Sequence, residues 1–118
     1  MCRRGDIYYA DLGTPNGCCQ SGFQPVLIVS NDTANAHAPV ITVVPITSRH
    51  KAMHMPTHVP LHRCAETGLS YASVALAEQV TTIDKAQLQN RVGAVLDQRV
   101  MEQITRALQV QIGAIDAG

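Results

Sequence analysis

The sequence predicts a small, mainly β (α+β) domain: a compact barrel of short strands with a C-terminal amphipathic helix. Two observations support this class. Short apolar and β-branched runs bounded by turn residues fill most of the 118-residue chain, and a long helical apolar pattern appears only at its end. Strands grouped ahead of a helix are typical of α+β folds rather than of alternating βα units. The length fits a single domain over residues 1–118.

Each predicted strand has a local reason. GDIYYADL is rich in Tyr and Ile and ends at the turn residues Gly13–Gly17, PVLIVS is a continuous apolar run, and VITVVPIT is almost entirely β-branched. THVPL and YASVALAEQVTTI continue the pattern, and the second of these is long enough for one or two strands. The predicted strands are therefore 5–12, 25–30, 40–47, 57–61 and 71–83.

Three helical segments are predicted from their N-terminal signals. Asp32 could cap one short turn before Pro39, and Asp84 could cap a short helix over 84–95. Asp97 is a candidate N-cap for the long helix within 96–112. One stripe of that helix is apolar at helical spacing, namely Val100, Met101, Ile104, Ala107 and Leu108.

Composition limits the functional classes. Charged residues make up 15% of the chain and the formal net charge is zero, so total charge does not indicate a strongly basic nucleic-acid binder. Aromatic residues make up 3%, which leaves few platforms for base stacking. No run is long enough for a membrane span or a signal peptide, so we expect a cytoplasmic protein whose four cysteines stay reduced.

Histidines recur every four residues at His50, His54, His58 and His62, a spacing that aligns zinc ligands on a helix. Pro56 and Pro60 would interrupt such a helix, and no carboxylate or cysteine nearby completes a tetrahedral set. We therefore interpret them as loop histidines, one of which could contact a ligand, and we predict no metal or other cofactor.

Two groups of polar residues, at the end of one predicted strand and within another, could bind a ligand. Thr47, Ser48 and Arg49 close a strand with two hydroxyls and a guanidinium, a set that suits a phosphate but also an ordinary strand-end turn. Glu78 and Gln79 interrupt an apolar stretch. A buried carboxylate is costly unless paired, so Glu78 faces solvent, pairs with a base such as Arg3 or Arg49, or lines a groove.

The motifs RGDI, PVLIVSND, PITS, PTHV and AEQ followed by TIDK, in this order, make the chain resemble the MazF/PemK family of toxin endoribonucleases from Arg3 to about Gly113. The resemblance implies a Src-homology-like barrel of the PemK/CcdB type and a homodimer. It also implies metal-independent, sequence-specific cleavage of single-stranded RNA, in which the ribose 2′-hydroxyl attacks the adjacent phosphate and leaves a 2′,3′-cyclic phosphate. A cognate antitoxin protein would block the RNA groove.

The resemblance also assigns residues. Thr47 matches the catalytic threonine, with Ser48 and Arg49 beside it. Further RNA-binding positions are implied for Cys18, Cys19, Gln20, Pro56, Thr57, His58, Glu78 and Gln79.

Gln24 is the main departure, because it stands just before Pro25, where the family carries its catalytic arginine. An amide donates hydrogen bonds but has no charge and transfers no proton at neutral pH. The chain could thus be a weakened or inactivated enzyme, by nature or by substitution, or Arg49 or a histidine could replace the lost charge. The alternatives from other classes are a non-catalytic inhibitor like CcdB and a relative that only binds an antitoxin.

Overall fold

The computed structural model describes residues 2–14, 22–48 and 54–117. The strands in these ranges are β1 (Asp6–Asp11), β2 (Phe23–Ile28), β3 (Val40–Ser48), β4 (His58–Leu61), β5 (Ser73–Leu76), β6 (Thr81–Asp84) and β7 (Leu88–Ala94). The helices are α1 (Asp32–His37) and α2 (Gln98–Gln111), with short 3₁₀ turns at Ala77–Gln79 and Lys85–Gln87.

All strand pairs in the described residues are antiparallel, and the sheet runs in the order β4-β5-β3-β2-β1-β7, with β6 paired to β3. The mainly β class with a C-terminal helix is confirmed. The sheet is compact and open. Among the described strands, β7 pairs with β1 and β6 pairs with β3, so that β6 and β7 are connected only by the 3₁₀ turn between them and do not close a barrel.

The central strands are apolar on both faces and separate two aliphatic cores. On one face, alternate residues such as Leu27 and Ile46 pack with Ile104 of α2. On the other face, Val26 and Val43 belong to a second cluster of buried residues. Burial on both faces explains why the sequence of β2 and β3 is continuously apolar rather than alternating.

Helix α2 forms as its sequence predicts. The Asp97 side chain accepts a hydrogen bond from the backbone N–H of Arg99, which confirms this N-cap. Within the predicted stripe, Met101, Ile104 and Ala107 are buried, and Val100 and Leu108 pack against them. The helix is thus held mainly by its apolar face against the sheet.

Truncation of Ile104 tests that packing. The Ile104 side chain is fully buried, so Ile104→Ala should lower the free energy of unfolding by about 2–5 kcal/mol in urea titrations. Ile112→Ala removes a side chain of the same type that is 73% exposed, and it should change stability by no more than about 0.5 kcal/mol. Similar losses in both variants would contradict the proposed packing of α2.

The predicted helix over 84–95 is wrong. Asp84 does cap a turn, and the Asp84–Gln87 capping box is complete, but the turn ends after Gln87 and the chain continues as strand β7. β7 supplies the second partner of β1, and Gly93 passes so close to the backbone of Thr67 that an added Cβ would lie 2.4 Å from its atoms. Strand pairing and this close approach override the local helix signal.

Three smaller differences concern boundaries. α1 is capped by Asn31, whose side chain accepts from the Ala34 N–H, so the predicted cap is displaced by one residue. The stretch 71–83 forms two strands, β5 and the start of β6, separated by a 3₁₀ turn. β2 begins at Phe23 rather than at Pro25, because residues 23–25 pair with β1, and a proline is compatible with that position.

The outer edge of β4 carries few hydrogen-bond donors. The Thr57 carbonyl accepts a hydrogen bond from the Ala77 N–H on the β5 side. Because the backbone N–H and C=O groups of successive strand residues point to opposite sides, those of His58 and Pro60 point away from β5. The His58 N–H donates to the Met55 carbonyl, and Pro60 has no N–H. Proline on an exposed strand edge removes a donor that another strand would need.

Candidate functional site

Gln24 and Thr47 flank the point where β2 and β3 stop pairing. The last paired residues of these strands are Val26 and Pro45. Beyond them β2 pairs with β1 alone and β3 with β5, and Pro25 has no N–H for the β2–β3 ladder. Gln24 and Thr47 each lie two residues beyond this last pair, on one face of the sheet, and the end of pairing between them is here called the notch.

Gln24 and Thr47 are both half-buried. The notch has an amide on one side and a hydroxyl on the other. Each can donate a hydrogen bond to a phosphate oxygen. Thr47 follows Ile46 and Gln24 lies two residues before Val26, and burial of these two neighbours restrains both strand ends.

Ser48 lies on the other face of the sheet from Thr47, because neighbouring residues on a strand alternate. It pairs with Ser73 of β5, whereas Thr47 pairs with Val74. The two hydroxyls predicted to act together are therefore presented on opposite sides of the strand end.

Thr57, His58 and Glu78 form one hydrogen-bonded cluster. The pairing of β4 with β5 brings His58 beside Leu76, two residues before Glu78. The Thr57 hydroxyl donates to Glu78 Oε1 over 2.8 Å, and His58 Nε2 lies 2.9 Å from Glu78 Oε2. The side chains of His58 and Glu78 are 7% and 21% exposed. The base that pairs with this carboxylate is thus His58.

The surroundings of Glu78 favour its ionised form. Burial raises the pKa of this carboxyl, but hydrogen bonds from His58 and Thr57 and from its own backbone outweigh burial and hold the pKa below the usual 4.5. The carboxylate therefore fixes Thr57 and His58 at the start of β4. Because Thr57 is buried and its hydroxyl is already donated, any effect on a ligand would be indirect.

Glu78 should make the fold sensitive to acid. Its folded pKa lies below the unfolded value, so its contribution is complete above about pH 4.5 and is lost as the pH falls through the folded pKa. In urea titrations from neutral pH downward, Glu78→Gln should lose less stability below that point than the unmodified chain. Glu102→Gln, which removes an exposed carboxylate, controls for net charge. Parallel curves for the unmodified chain and Glu78→Gln would contradict this role.

A cavity of about 300 Å³ lies between β4 and α2, lined by Pro56, His58, Gln103 and Arg106 among others. It places a guanidinium beside two of the predicted positions. The apolar stripe of α2 gives no indication of Gln103 or Arg106. Their sequence signal is their place between stripe residues, since Gln103 directly precedes Ile104 and Arg106 lies two residues before Leu108.

Gln79 ends the 3₁₀ turn that follows β5, and this turn contacts β3, β4 and α2. Cys18, Cys19, Gln20, Arg49 and His50 lie outside the described residues. Within the described ranges, no group of three or more His, Cys, Asp or Glu side chains could hold a metal ion. In the same part of the chain, no helix has the length and apolarity needed to cross a membrane.

Comparison with known proteins connects this geometry to a family. Residues 3–112 match the family described as the PemK-like, MazF-like toxin of type II toxin–antitoxin systems. The chain is 37% identical over 113 residues to Endoribonuclease MazF of Staphylococcus saprophyticus, which covers 96% of this chain and 92% of that protein.

Solved structures agree with this match. The chain is similar to an endoribonuclease in complex with its cognate antitoxin from a mycobacterial species, with a TM-score of 0.80, 28% identity and 98% of each chain covered. It is also similar to the Mycobacterium tuberculosis toxin MazF-mt6, with a TM-score of 0.75, 25% identity, and 92% of this chain and 96% of that chain covered. Since sequence and structure match over nearly the whole length, the chain belongs to the PemK-like, MazF-like toxin family of type II toxin–antitoxin systems.

Proposed function

We propose that the protein is a sequence-specific, metal-independent endoribonuclease toxin that cleaves single-stranded RNA at the notch between Gln24 and Thr47. The observation that supports the proposal is the register of β2 and β3, which ends at Val26 and Pro45 and so leaves Gln24 and Thr47 on one face of the sheet just beyond the last pair. The identity to an endoribonuclease MazF supports the same reaction.

In this reaction the ribose 2′-hydroxyl attacks the adjacent phosphorus, the bond to the 5′-oxygen breaks, and a 2′,3′-cyclic phosphate and a 5′-hydroxyl remain. Negative charge grows on the non-bridging oxygens as the phosphorus becomes five-coordinate. The Thr47 hydroxyl and the Gln24 amide would donate hydrogen bonds to those oxygens. Because both donors are neutral, we expect slow cleavage unless a cation outside the described residues, such as Arg49, completes the site.

RNA cleavage in EDTA tests this function. The purified chain and its Gln24→Arg variant are incubated with a long single-stranded RNA, and the ends of the products are analysed. We expect cuts at a short sequence motif, with 2′,3′-cyclic phosphate and 5′-hydroxyl ends, and no cut where a 2′-fluorine replaces the attacking hydroxyl. Cleavage that requires added metal, or none by either chain at high enzyme concentration, would favour the non-catalytic inhibitor or antitoxin-binding alternatives.

We further propose that the toxin forms a homodimer and binds a cognate antitoxin protein. A mycobacterial endoribonuclease of the same fold was solved with its cognate antitoxin, which supports the second partner. Sedimentation of the purified chain at micromolar concentration should show the dimer. An antitoxin encoded beside the toxin gene should suppress RNA cleavage at a stoichiometric ratio.

A further inference from the structure

The aromatic residues of this chain lie mostly on its surface. The sequence has three tyrosines, one phenylalanine and no tryptophan, and the buried core is entirely aliphatic apart from Met101. Phe23 is 69% exposed and Tyr9 is 39% exposed. Exposed aromatic side chains are typical of surfaces that a ligand or partner covers, because a ring buries a large area with little loss of side-chain freedom.

Tyr9 and Phe23 are neighbours on one face of the sheet. In the pairing of β1 with β2, Tyr9 is opposite Pro25 and Asp11 is opposite Phe23. The two rings therefore occupy diagonal positions, with Cβ atoms about 7–8 Å apart, within reach of one planar ligand. Helix α2 packs on Ile7 and Leu27 further along this face and leaves the two rings exposed.

This pair of rings, here called the aromatic surface, adjoins the proposed phosphate site. Phe23 precedes Gln24 in the chain and presents its side chain on the opposite face. Ser48 lies beyond the last β3 residue that pairs with β2, on the same face of the sheet as Phe23. One end of the sheet thus carries donors for a phosphate on one face, and a hydroxyl and an aromatic ring on the other.

The chemistry of the reaction gives this arrangement a use. Attack by a 2′-hydroxyl requires the leaving 5′-oxygen to lie in line behind the phosphorus, and a regularly stacked strand does not hold these atoms in line. One base beside the cleaved bond must leave the stack. Aromatic rings accept such an unstacked base in proteins that bind single strands.

We propose that Tyr9 and Phe23 stack with the base next to the cleaved phosphate, while Ser48 contacts the sugar or phosphate of the same nucleotide. This inference rests on the proposed ribonuclease function and adds to it a surface that selects single-stranded RNA. The rings would contact the substrate and hold the nucleotide in the reactive geometry. A second copy of the chain could also cover them, and the experiment distinguishes that outcome.

A tryptophan reporter tests the stacking directly. Because the chain has no tryptophan, Phe23→Trp introduces a single fluorophore, and Ile112→Trp does so at a site of similar exposure, 73%, at the end of α2. The ligand is a random-sequence single-stranded RNA with 2′-fluorine in place of the hydroxyls, so that it binds without being cleaved. We expect RNA to quench the fluorescence of Phe23→Trp and to leave that of Ile112→Trp unchanged. Duplex RNA should quench neither.

A second measurement does not depend on fluorescence. In the Gln24→Arg chain, Phe23→Leu keeps an apolar side chain but removes the ring, and it should lower kcat/KM for RNA cleavage by about tenfold or more. Phe23→Tyr retains the ring and should keep most of the activity. Ile112→Leu is the matched control, with no expected effect.

The outcomes separate the two proposals. If Gln24→Arg cleaves RNA, but Phe23→Trp is not quenched and Phe23→Leu is fully active, the stacking role is wrong and the ribonuclease function stands. If Phe23→Trp fluorescence instead changes with protein concentration alone, and Phe23→Leu weakens the dimer in sedimentation, the surface is a contact between copies. If no RNA is bound or cleaved by any variant, the proposed function fails and the inference with it.

Discussion

Replacement of Gln24 by arginine should raise metal-free cleavage of single-stranded RNA by at least about tenfold, and by as much as about 10²–10³-fold. Gln24 and Thr47 lie just beyond the last paired residues of β2 and β3, and we propose that both contact the cleaved phosphate. An arginine there adds a positive charge and a planar set of donors that can hold two phosphate oxygens at once. Both features matter most when negative charge accumulates on the oxygens of the five-coordinate phosphorus, so the gain should appear in kcat.

Two variants separate the reasons for this gain. Gln24→Lys supplies the charge as a single ammonium without the planar donors, and it should recover only part of the increase. Gln89→Arg adds the same charge at an exposed position of β7 and should leave cleavage unchanged. Equal rates for the unmodified chain and Gln24→Arg would show that this position is not in the active site.

Removal of the Thr47 hydroxyl should have the second large effect. In the Gln24→Arg chain, Thr47→Ala should lower kcat by about 10²–10³-fold. The phosphate oxygens on which negative charge develops would lose one hydrogen-bond donor held by strand β3. Thr47→Ser keeps the hydroxyl and should retain most of the rate. RNA affinity, measured with the 2′-fluoro strand, should change much less than kcat, since the donor acts mainly in the transition state.

A control from the same strand makes this result specific. The Thr42 hydroxyl of β3 lies 3.0 Å from the Thr82 hydroxyl of β6, away from the notch. Thr42→Ala therefore removes an equivalent group from the same strand at a remote position. If Thr47→Ala and Thr42→Ala reduce cleavage equally, Thr47 has no special role in the reaction.

Local sequence patterns predicted those parts of the fold that depend on local interactions. The strands from β1 to β5 and helix α2 were found because apolar runs, turn residues and the Asp97 cap act within a few residues. The error at 84–95 has the opposite origin. A true capping box at Asp84 favoured a helix, while pairing with β1, far away in the sequence, decided for a strand.

The candidate site was predictable only to the level of residue types. The order of motifs identified Gln24, Thr47 and Glu78, but their mutual geometry depends on strand register, which a single sequence does not fix. The contact of Glu78 with Thr57 and His58 joins residues about twenty positions apart and exists because β4 pairs with β5. The sequence did not indicate a role for the rings of Tyr9 and Phe23, because an aromatic content of 3% suggests few rings for base stacking.

The missing donor at Pro60 has a consequence for how the protein behaves when it is concentrated. A strand of a neighbouring molecule that added to the edge of β4 would lack a hydrogen bond at Pro60, because proline has no backbone N–H. Edge-to-edge association of many copies should therefore not start at β4. At the opposite border, β7 presents the polar side chains of Gln89, Asn90 and Arg91. The proline of β4 and the polar side chains of β7 thus discourage growth into fibres at these two edges of the sheet.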